Sequence, residues 1–216
     1  MTRLRIGVLI SGRGSNLQAL IDAAADPAYP AEIVLVLSNQ ADAKGLERAA
    51  MADIATGVIS HRDFAERAPF DAALTTALEQ AGVELVCLAG FMRILGAGFV
   101  DHWAGRLINI HPSLLPAFPG LDTHARALDA GVKLHGCTVH HVRPAVDSGP
   151  IIGQAAVPVL PGDTPDVLAG RVLAAEHRLY PACLRLVAEG RARLVGDRVE
   201  IEGAGPTGPT LRNPGP

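Results

Sequence analysis

The sequence lacks the features that mark several specialised classes of protein. Its three cysteines lie far apart without a C-x-x-C pair, which argues against a disulfide framework. The formal net charge is only -3 and the Lys and Arg residues are scattered, so neither a nucleic-acid partner nor a membrane surface is expected. No apolar run reaches the roughly 18 residues of a membrane span. We therefore expect a cytoplasmic protein, monomeric or homodimeric, with small-molecule partners.

The chain is long enough and apolar enough to bury one full core. It has 216 residues, of which 49% are apolar, and this size fits a single domain. We predict one domain over residues 1–202 and a flexible tail, rich in Gly and Pro, over residues 203–216.

The first half of the chain alternates short apolar runs with helical patterns. Strands are predicted over Leu4–Ile10, Ile33–Leu37, Ala55–Ile59 and Val83–Ala89. Helices are predicted over Leu17–Ala25, Asn39–Ala52 and Asp63–Ala81. Because this βαβα order is typical of right-handed crossovers, we expect an α/β fold with a mostly parallel sheet and helices on both faces.

The second half predicts an antiparallel C-terminal extension of that sheet. Two strand patterns, His135–Val142 and Ile151–Val159, are joined through a turn at Asp147-Ser148-Gly149. Helices are predicted over Asp122–Gly131 and from Thr164 toward Glu189.

A glycine-rich loop, Ser11–Asn16, connects the first strand to the first helix. Glycines let a backbone approach an anion closely, and the start of a helix favours a phosphate. The loop is not a dinucleotide fingerprint, because Leu17 occupies the place of its third glycine and the second strand ends in Ser38-Asn39 instead of an acid. From the spacing alone, a phosphate site and an ordinary turn with Ser15 or Asn16 as N-cap both remain open.

The segment Arg106–Gly120 carries the strongest chemical signal. It begins as an apolar strand that holds Asn109 and His111, and it then contains three prolines. Ligands of open α/β sheets bind at the carboxyl ends of strands, where an amide and an imidazole two residues apart can act on one substrate atom. This arrangement favours carbonyl chemistry, because Asn donates to an oxyanion and His moves a proton near neutral pH.

The eight histidines do not predict a metal site. His140 and His141 are adjacent on a strand, so their side chains point to opposite faces, and the sequence has no H-x-x-x-H pair. We assign His61, His102 and His177 to the surface or to satisfied positions in the core.

Over about residues 5–190 the chain resembles the phosphoribosylglycinamide formyltransferase family, folate-dependent enzymes of purine synthesis. The segments that carry this resemblance are Ser11–Asn16, Leu88–Leu95, Asn109–Pro116, His135–His140 and Asp147–Pro150. The proline motif is shared by the wider formyltransferase group, including methionyl-tRNA formyltransferases, whereas the glycine loop is the narrower signal. The resemblance implies a Rossmann-like formyltransferase fold and transfer of a formyl group from 10-formyltetrahydrofolate to the amino group of 5-phosphoribosylglycinamide (glycinamide ribonucleotide).

The resemblance also implies roles for individual residues. The catalytic residues would be Asn109, His111 and Asp147. The glycinamide ribonucleotide would be bound by Gly14, Ser15, Asn16 and Glu176. The folate would contact Arg67, Met92, Arg93, Ile94, Leu95, Asn109, Arg143, Pro144, Ala145, Val146 and Asp147, with Arg62 as a possible substitute for Arg67. No metal is implied.

Further expectations follow from this resemblance. Asp147 should favour the charged form of His111. The Leu115-Pro116 bond is expected to be cis. Leu173 departs from relatives that have a polar phosphate contact on the last helix. Two other functions remain open: a 10-formyltetrahydrofolate hydrolase, which would not need the glycine loop, and a non-catalytic nucleotide-binding module, which would not need the catalytic residues.

Overall fold

The computed structural model describes residues 2–203 and Asn213. The strands in these residues are β1 (Leu4–Ile10), β2 (Ala31–Ser38), β3 (Thr56–Val58), β4 (Leu85–Leu88), β5 (Leu107–His111), β6 (Leu134–His141), β7 (Ile151–Pro158), β8 (Ala192–Val195) and β9 (Arg198–Ile201). The α-helices are α1 (Ser15–Ala24), α2 (Lys44–Met51), α3 (Arg67–Gln80), α4 (Ala97–His102), α5 (Thr123–Asp129) and α6 (Pro165–Ala188). Apart from Gly203 and Asn213, the predicted tail lies outside the described residues.

A seven-stranded sheet has the strand order β3-β2-β1-β4-β5-β6-β7. Strand β1 pairs with β2 and β4 in parallel, as do β2 with β3 and β4 with β5. Strands β6 and β7 are antiparallel. The predicted fold class, a mostly parallel α/β sheet with an antiparallel C-terminal extension, is therefore confirmed.

The chain contains two compact units, and the prediction of one domain over residues 1–202 stays a prediction. The first unit comprises the residues up to Asn109 together with His141–Pro144. Its core lies between the sheet and helices α3 and α4, around the fully buried Trp103. All four residues of β4 are buried. Because this strand is covered on both faces, its sequence is a continuous apolar run.

The second unit comprises Ile110–His140 and the residues from Ala145 onward. Its core is a cluster of side chains from α5, β6, β7 and α6. Gly136 is needed here, because a Cβ at that position would lie 2.0 Å from the Ala155 carbonyl oxygen on the paired strand. Helix α6 begins as predicted, with the Thr164 hydroxyl accepting a hydrogen bond from the Val167 amide at 3.3 Å.

Several predicted boundaries were wrong for identifiable reasons. Helix α2 begins at Lys44 instead of Asn39, because the Ser38 hydroxyl bonds the Gln40 amide and carbonyl and so holds a turn. Helix α3 begins at Arg67 instead of Asp63, since an earlier start would place the Pro69 ring against the carbonyl of Ala65. A short 3-10 helix, His61–Asp63, precedes it. Helix α4 and the β8-β9 hairpin were not predicted.

Candidate active site

The glycine loop of the first unit leads directly into α1. Gly14 is the N-cap in the left-handed conformation (φ 69°), so the Ser15 or Asn16 cap of the alternative interpretation is not formed. Helix α1, which is described in full, has neither a side-chain cap nor an acidic residue in its first turn. Its positive end is therefore not offset by its own side chains, which is the condition for binding an anion there.

Packing against α2 fixes the shape of this loop. The Gly45 amide donates to the Gly12 carbonyl at 3.0 Å, and the Arg48 Nε donates to the Arg13 carbonyl at 3.0 Å. A Cβ on Gly14 would lie only 2.6 Å from the Gly45 Cα. The glycine at position 14 is thus required by the fold as well as by its positive φ.

The segment Met92–Leu95 follows β4 in the same unit and has no regular secondary structure. Met92 and Ile94 are 70% and 61% exposed, whereas Leu95 is buried in the core. Such exposed apolar side chains beside a strand end are available to a ligand. Asn109, at the end of the first unit's share of β5, is partly buried.

Arg62 and Arg67, the two alternatives for a folate contact, are both exposed. An open groove of about 550 Å³ lies between α3 and α4. Its lining includes Arg67, Asp71, Phe99 and His102, but none of the residues Met92–Leu95. Of the remaining predicted folate contacts, Arg143 is partly buried, and Pro144, Ala145 and Val146 are exposed.

His111 and Asp147 meet in the second unit. The His111 Nδ1 lies 3.4 Å from the Asp147 Oδ2, and both side chains are about nine-tenths buried. The His111 Nε2 lies 3.0 Å from the Phe118 carbonyl oxygen. The Nε2 thus faces a carbonyl oxygen, which only accepts hydrogen bonds, and the Nδ1 lies within ion-pair distance of the carboxylate.

Backbone groups of one loop hold both members of this pair. The Phe118 carbonyl accepts from His111, and the Gly120 amide donates to the Asp147 Oδ2 at 2.8 Å. Phe118, Asp122 and Asp147 all have positive φ values between 51° and 54°, which non-glycine residues seldom adopt. Such strained positions persist where surrounding contacts determine them, and they cluster at active sites.

Two further histidines lie beside His111. The rings of His124 and His135 pack edge to face with centroids 5.3 Å apart. Burial, aided by the neighbouring His124, lowers the pKa of His135 to about 4. Burial, followed by the charge of His111, also lowers the pKa of His124. His124 and His135 are therefore neutral near pH 7. Asp147 faces two other histidines, His111 and His140, and the His140 Nε2 lies 3.9 Å from the Asp147 Oδ1.

The proline segment is fixed by a buried hydroxyl. The Thr138 Oγ1 donates to the Ser113 carbonyl at 2.7 Å and accepts from the Leu115 amide at 3.1 Å. Gln154 donates to the same hydroxyl and to the Leu115 carbonyl. The Leu115-Pro116 bond is cis, as predicted. Sequence reasoning missed Thr138 and Gln154, because no motif marks a residue whose partners are backbone groups of a distant segment.

Glu176 is buried on α6, near Cys137, whose pKa rises to about 12 through burial and then through the charge of Glu176. Leu173, on the same helix, is partly buried.

Among the described residues, no group of three or more His, Cys, Asp or Glu side chains could hold a metal ion. Within the same residues, no helix is both long and apolar enough to cross a membrane.

The family model, a bacterial protein and a solved structure that this chain resembles are all formyltransferases. Residues 4–184 match the family model described as formyl transferase. The phosphoribosylglycinamide formyltransferase of Escherichia coli (strain K12) is 46% identical over 200 residues, which cover 93% of this chain and 94% of that protein. The crystal structure of glycinamide ribonucleotide transformylase 1 from Symbiobacterium toebii is 52% identical, with a TM-score of 0.90 and coverage of 92% of this chain and 94% of that one.

Larger proteins contain a similar segment. The trifunctional purine biosynthetic protein adenosine-3 of Drosophila pseudoobscura pseudoobscura is 58% identical over 197 residues, which cover 90% of this chain. This chain spans only 14% of the length of that relative. The family match and the nearly full-length bacterial relative lead to one conclusion: the chain belongs to the formyl transferase family.

Proposed function

We propose that the protein transfers the formyl group of 10-formyltetrahydrofolate to the amino group of 5-phosphoribosylglycinamide, a step of purine synthesis. The observation that carries this proposal is the buried His111–Asp147 pair, held by the Phe118 carbonyl and the Gly120 amide. A transferase that acts on a formyl carbon gains from a preorganised group that stabilises the developing oxyanion, and the His111 ring, held in place by Asp147, would be such a group.

In the proposed reaction, the substrate amine attacks the formyl carbon and the carbonyl electron pair moves to the oxygen. The Asn109 amide donates a hydrogen bond to that oxyanion, and such a donor is worth roughly 3 to 4 kcal/mol of barrier. The His111 imidazolium, whose Nε2 is occupied by the Phe118 carbonyl, stabilises the same oxygen through its charge. The carboxylate of Asp147 keeps His111 charged and accepts the proton that the amine loses. The oxyanion then re-forms the carbonyl, the carbon–nitrogen bond to the folate N10 breaks, and N10 takes up the proton that Asp147 had accepted.

Substrate contacts are proposed from the same elements. The phosphate of the ribonucleotide binds at Gly14, Ser15 and Asn16, where the start of α1 is left uncapped by side chains. Glu176 contacts the same substrate. The folate contacts Asn109 and Asp147 together with a set of loop residues: Arg67 or Arg62, Met92, Arg93, Ile94, Leu95, Arg143, Pro144, Ala145 and Val146.

The location, oligomeric state and macromolecular partners of the protein stay predictions. We expect a cytoplasmic protein that is a monomer or homodimer and binds neither nucleic acid nor a membrane.

The proposal is tested by following folate absorbance with and without glycinamide ribonucleotide. A transferase consumes 10-formyltetrahydrofolate only when the ribonucleotide is present, and the formylated ribonucleotide accumulates in equal amount. Equal consumption without the ribonucleotide would identify a hydrolase instead. No consumption under either condition, with the ribonucleotide still bound, would identify a non-catalytic binding module.

A further inference from the structure

One side chain joins the glycine loop to the Met92–Leu95 segment. The Ser11 Oγ accepts a hydrogen bond from the Met92 amide at 2.8 Å and donates one to the Asn39 Oδ1 at 2.5 Å. Asn39 is 2% exposed, and its Nδ2 lies 3.3 Å from the His61 Nδ1. The Ser11 hydroxyl thus both donates and accepts a hydrogen bond, and the partner to which it donates, Asn39, is buried.

The backbone connects the same two segments. The Ser11 amide donates to the Gly90 carbonyl at 3.1 Å. Gly90 has a φ of 76°, which lets the chain turn out of the end of β4 toward Met92. Ser11 is therefore bonded on both sides of this turn, through its amide to Gly90 and through its hydroxyl to Met92.

The far end of Met92–Leu95 is held by a second side chain. The Gly96 amide donates to the Asp71 Oδ2 at 2.7 Å. Asp71 is 6% exposed, and burial raises its pKa although the Gly96 amide and Arg67 oppose this change. Because the side chains of Met92 and Ile94 lie in solvent, these end contacts and the burial of Leu95 fix the shape of the segment.

We propose that Ser11 is a positioning residue that couples the binding of the two substrates. This inference rests on the proposed function, which places the ribonucleotide phosphate at Gly14–Asn16 and the folate at Met92–Leu95. Because Ser11 bonds the Met92 amide, a phosphate that further restrains the glycine loop also restrains Ser11 and keeps Met92 in the conformation that receives the folate. By linkage, each substrate increases the affinity for the other by the same factor.

The coupling is measured with tetrahydrofolate and glycinamide ribonucleotide, a pair that cannot react because the formyl group is missing. The Kd of tetrahydrofolate is determined by anaerobic calorimetry with and without saturating ribonucleotide. In the wild type we expect about three- to tenfold tighter binding in the presence of the ribonucleotide, the effect of one well-formed hydrogen bond. In Ser11→Ala this ratio should fall to about one.

Matched variants separate coupling from stability. Ser11→Thr retains the hydroxyl and should restore most of the coupling ratio. Thr76→Ala removes a hydroxyl whose bond, to the Ala72 carbonyl at 2.9 Å, stays within α3, so its ratio should equal that of the wild type. If Ser11→Ala does not fold, Ser11→Cys replaces it, because a thiol is a weak donor and acceptor and should lower the ratio.

The inference is overturned if Ser11→Ala and the wild type have the same coupling ratio, or if the wild type shows no coupling. A failure of the proposed function looks different. In that case the wild type would not formylate the ribonucleotide at all, whereas the binding ratios can be measured whether or not transfer occurs.

Discussion

The two units supply different kinds of chemical group to the proposed function. In the first unit, the groups at the proposed binding segments are chiefly backbone groups: the glycine loop, the start of α1, and the segment Met92–Leu95 with its exposed Met92 and Ile94. In the second unit, the groups are buried ionisable side chains whose partners are supplied by a strained loop. Under the proposed function, affinity would depend chiefly on chain geometry in the first unit, which also supplies the Asn109 side chain, and turnover chiefly on the buried side-chain pair of the second unit. Single substitutions should therefore have unequal effects in the two units.

The largest effect is expected for Asp147→Asn. The Asn side chain can still accept the hydrogen bond of Gly120 and tolerates the positive φ, but it lacks the charge that favours the imidazolium of His111. We expect kcat to fall roughly a hundredfold or more, with the free energy of unfolding nearly unchanged. Asp147→Ala is the matched control, which should lose the same turnover and some stability as well. An Asn variant with wild-type kcat would show that the charge is not used.

A smaller but still large effect is expected when the phosphate is removed from the substrate. The dephosphorylated ribonucleoside should bind about a hundredfold more weakly, because hydrogen bonds to a charged group contribute roughly 1.5 to 3 kcal/mol each. Ser15→Ala should weaken ribonucleotide binding only about threefold, since the backbone donors remain. Both Kd values come from calorimetry, with the Kd of tetrahydrofolate alone as the control. If the ribonucleoside bound as tightly as the ribonucleotide, the phosphate would have to bind elsewhere.

The third effect is a loss of stability in mild acid, and it concerns the second unit. The pKa of His135 is about 4 in the folded protein, below its usual value of 6.5. As the pH falls from 6.5 to 4, the unfolded chain takes up a proton that the folded chain does not, so His135 reduces stability by about 3 kcal/mol over this range. His135→Phe, which keeps a ring against Phe118 and His124, should remove this part of the pH dependence. Denaturant unfolding at pH 7.5 and pH 4.5 measures the free energy of unfolding of the wild type and of His135→Phe. If both lost the same stability between these pH values, the prediction would be contradicted.

The sequence predicted the regular part of the fold because buried strands have a distinctive pattern. Strand β1 was predicted with its exact bounds, and β4 was recognised from its continuous apolar run. Helix α4 was missed because six residues are too few to show a helical period. The hairpin of β8 and β9 was missed because its strands have only four residues each and include several charged side chains.

The site was predicted unevenly for a related reason. Asn109 and His111 could be identified from the residues themselves, since polar side chains at a strand end are conspicuous. Asp147 is 36 positions beyond His111 and sits in an ordinary turn motif, so its pairing required the family resemblance and then the structure. The Phe118 carbonyl, the Gly120 amide and the Met92 amide could not be identified, because every residue has such groups and only the fold selects which of them act.

The close approach of Gly14 to Gly45 limits how this protein could be evolved toward other phosphorylated substrates. A Cβ at Gly14 would lie 2.6 Å from the Gly45 Cα, and a Cβ at Gly45 would lie 2.5 Å from the Ile10 Cδ1. Position 14 cannot accept a side chain while α2 keeps its place, and position 45 can do so only if the buried Ile10 side chain moves. A mutant library aimed at new substrate preference would therefore keep positions 14 and 45 constant. Diversity would be better placed at Ser15 and at the exposed Met92 and Ile94, where new side chains meet solvent or ligand instead of the core.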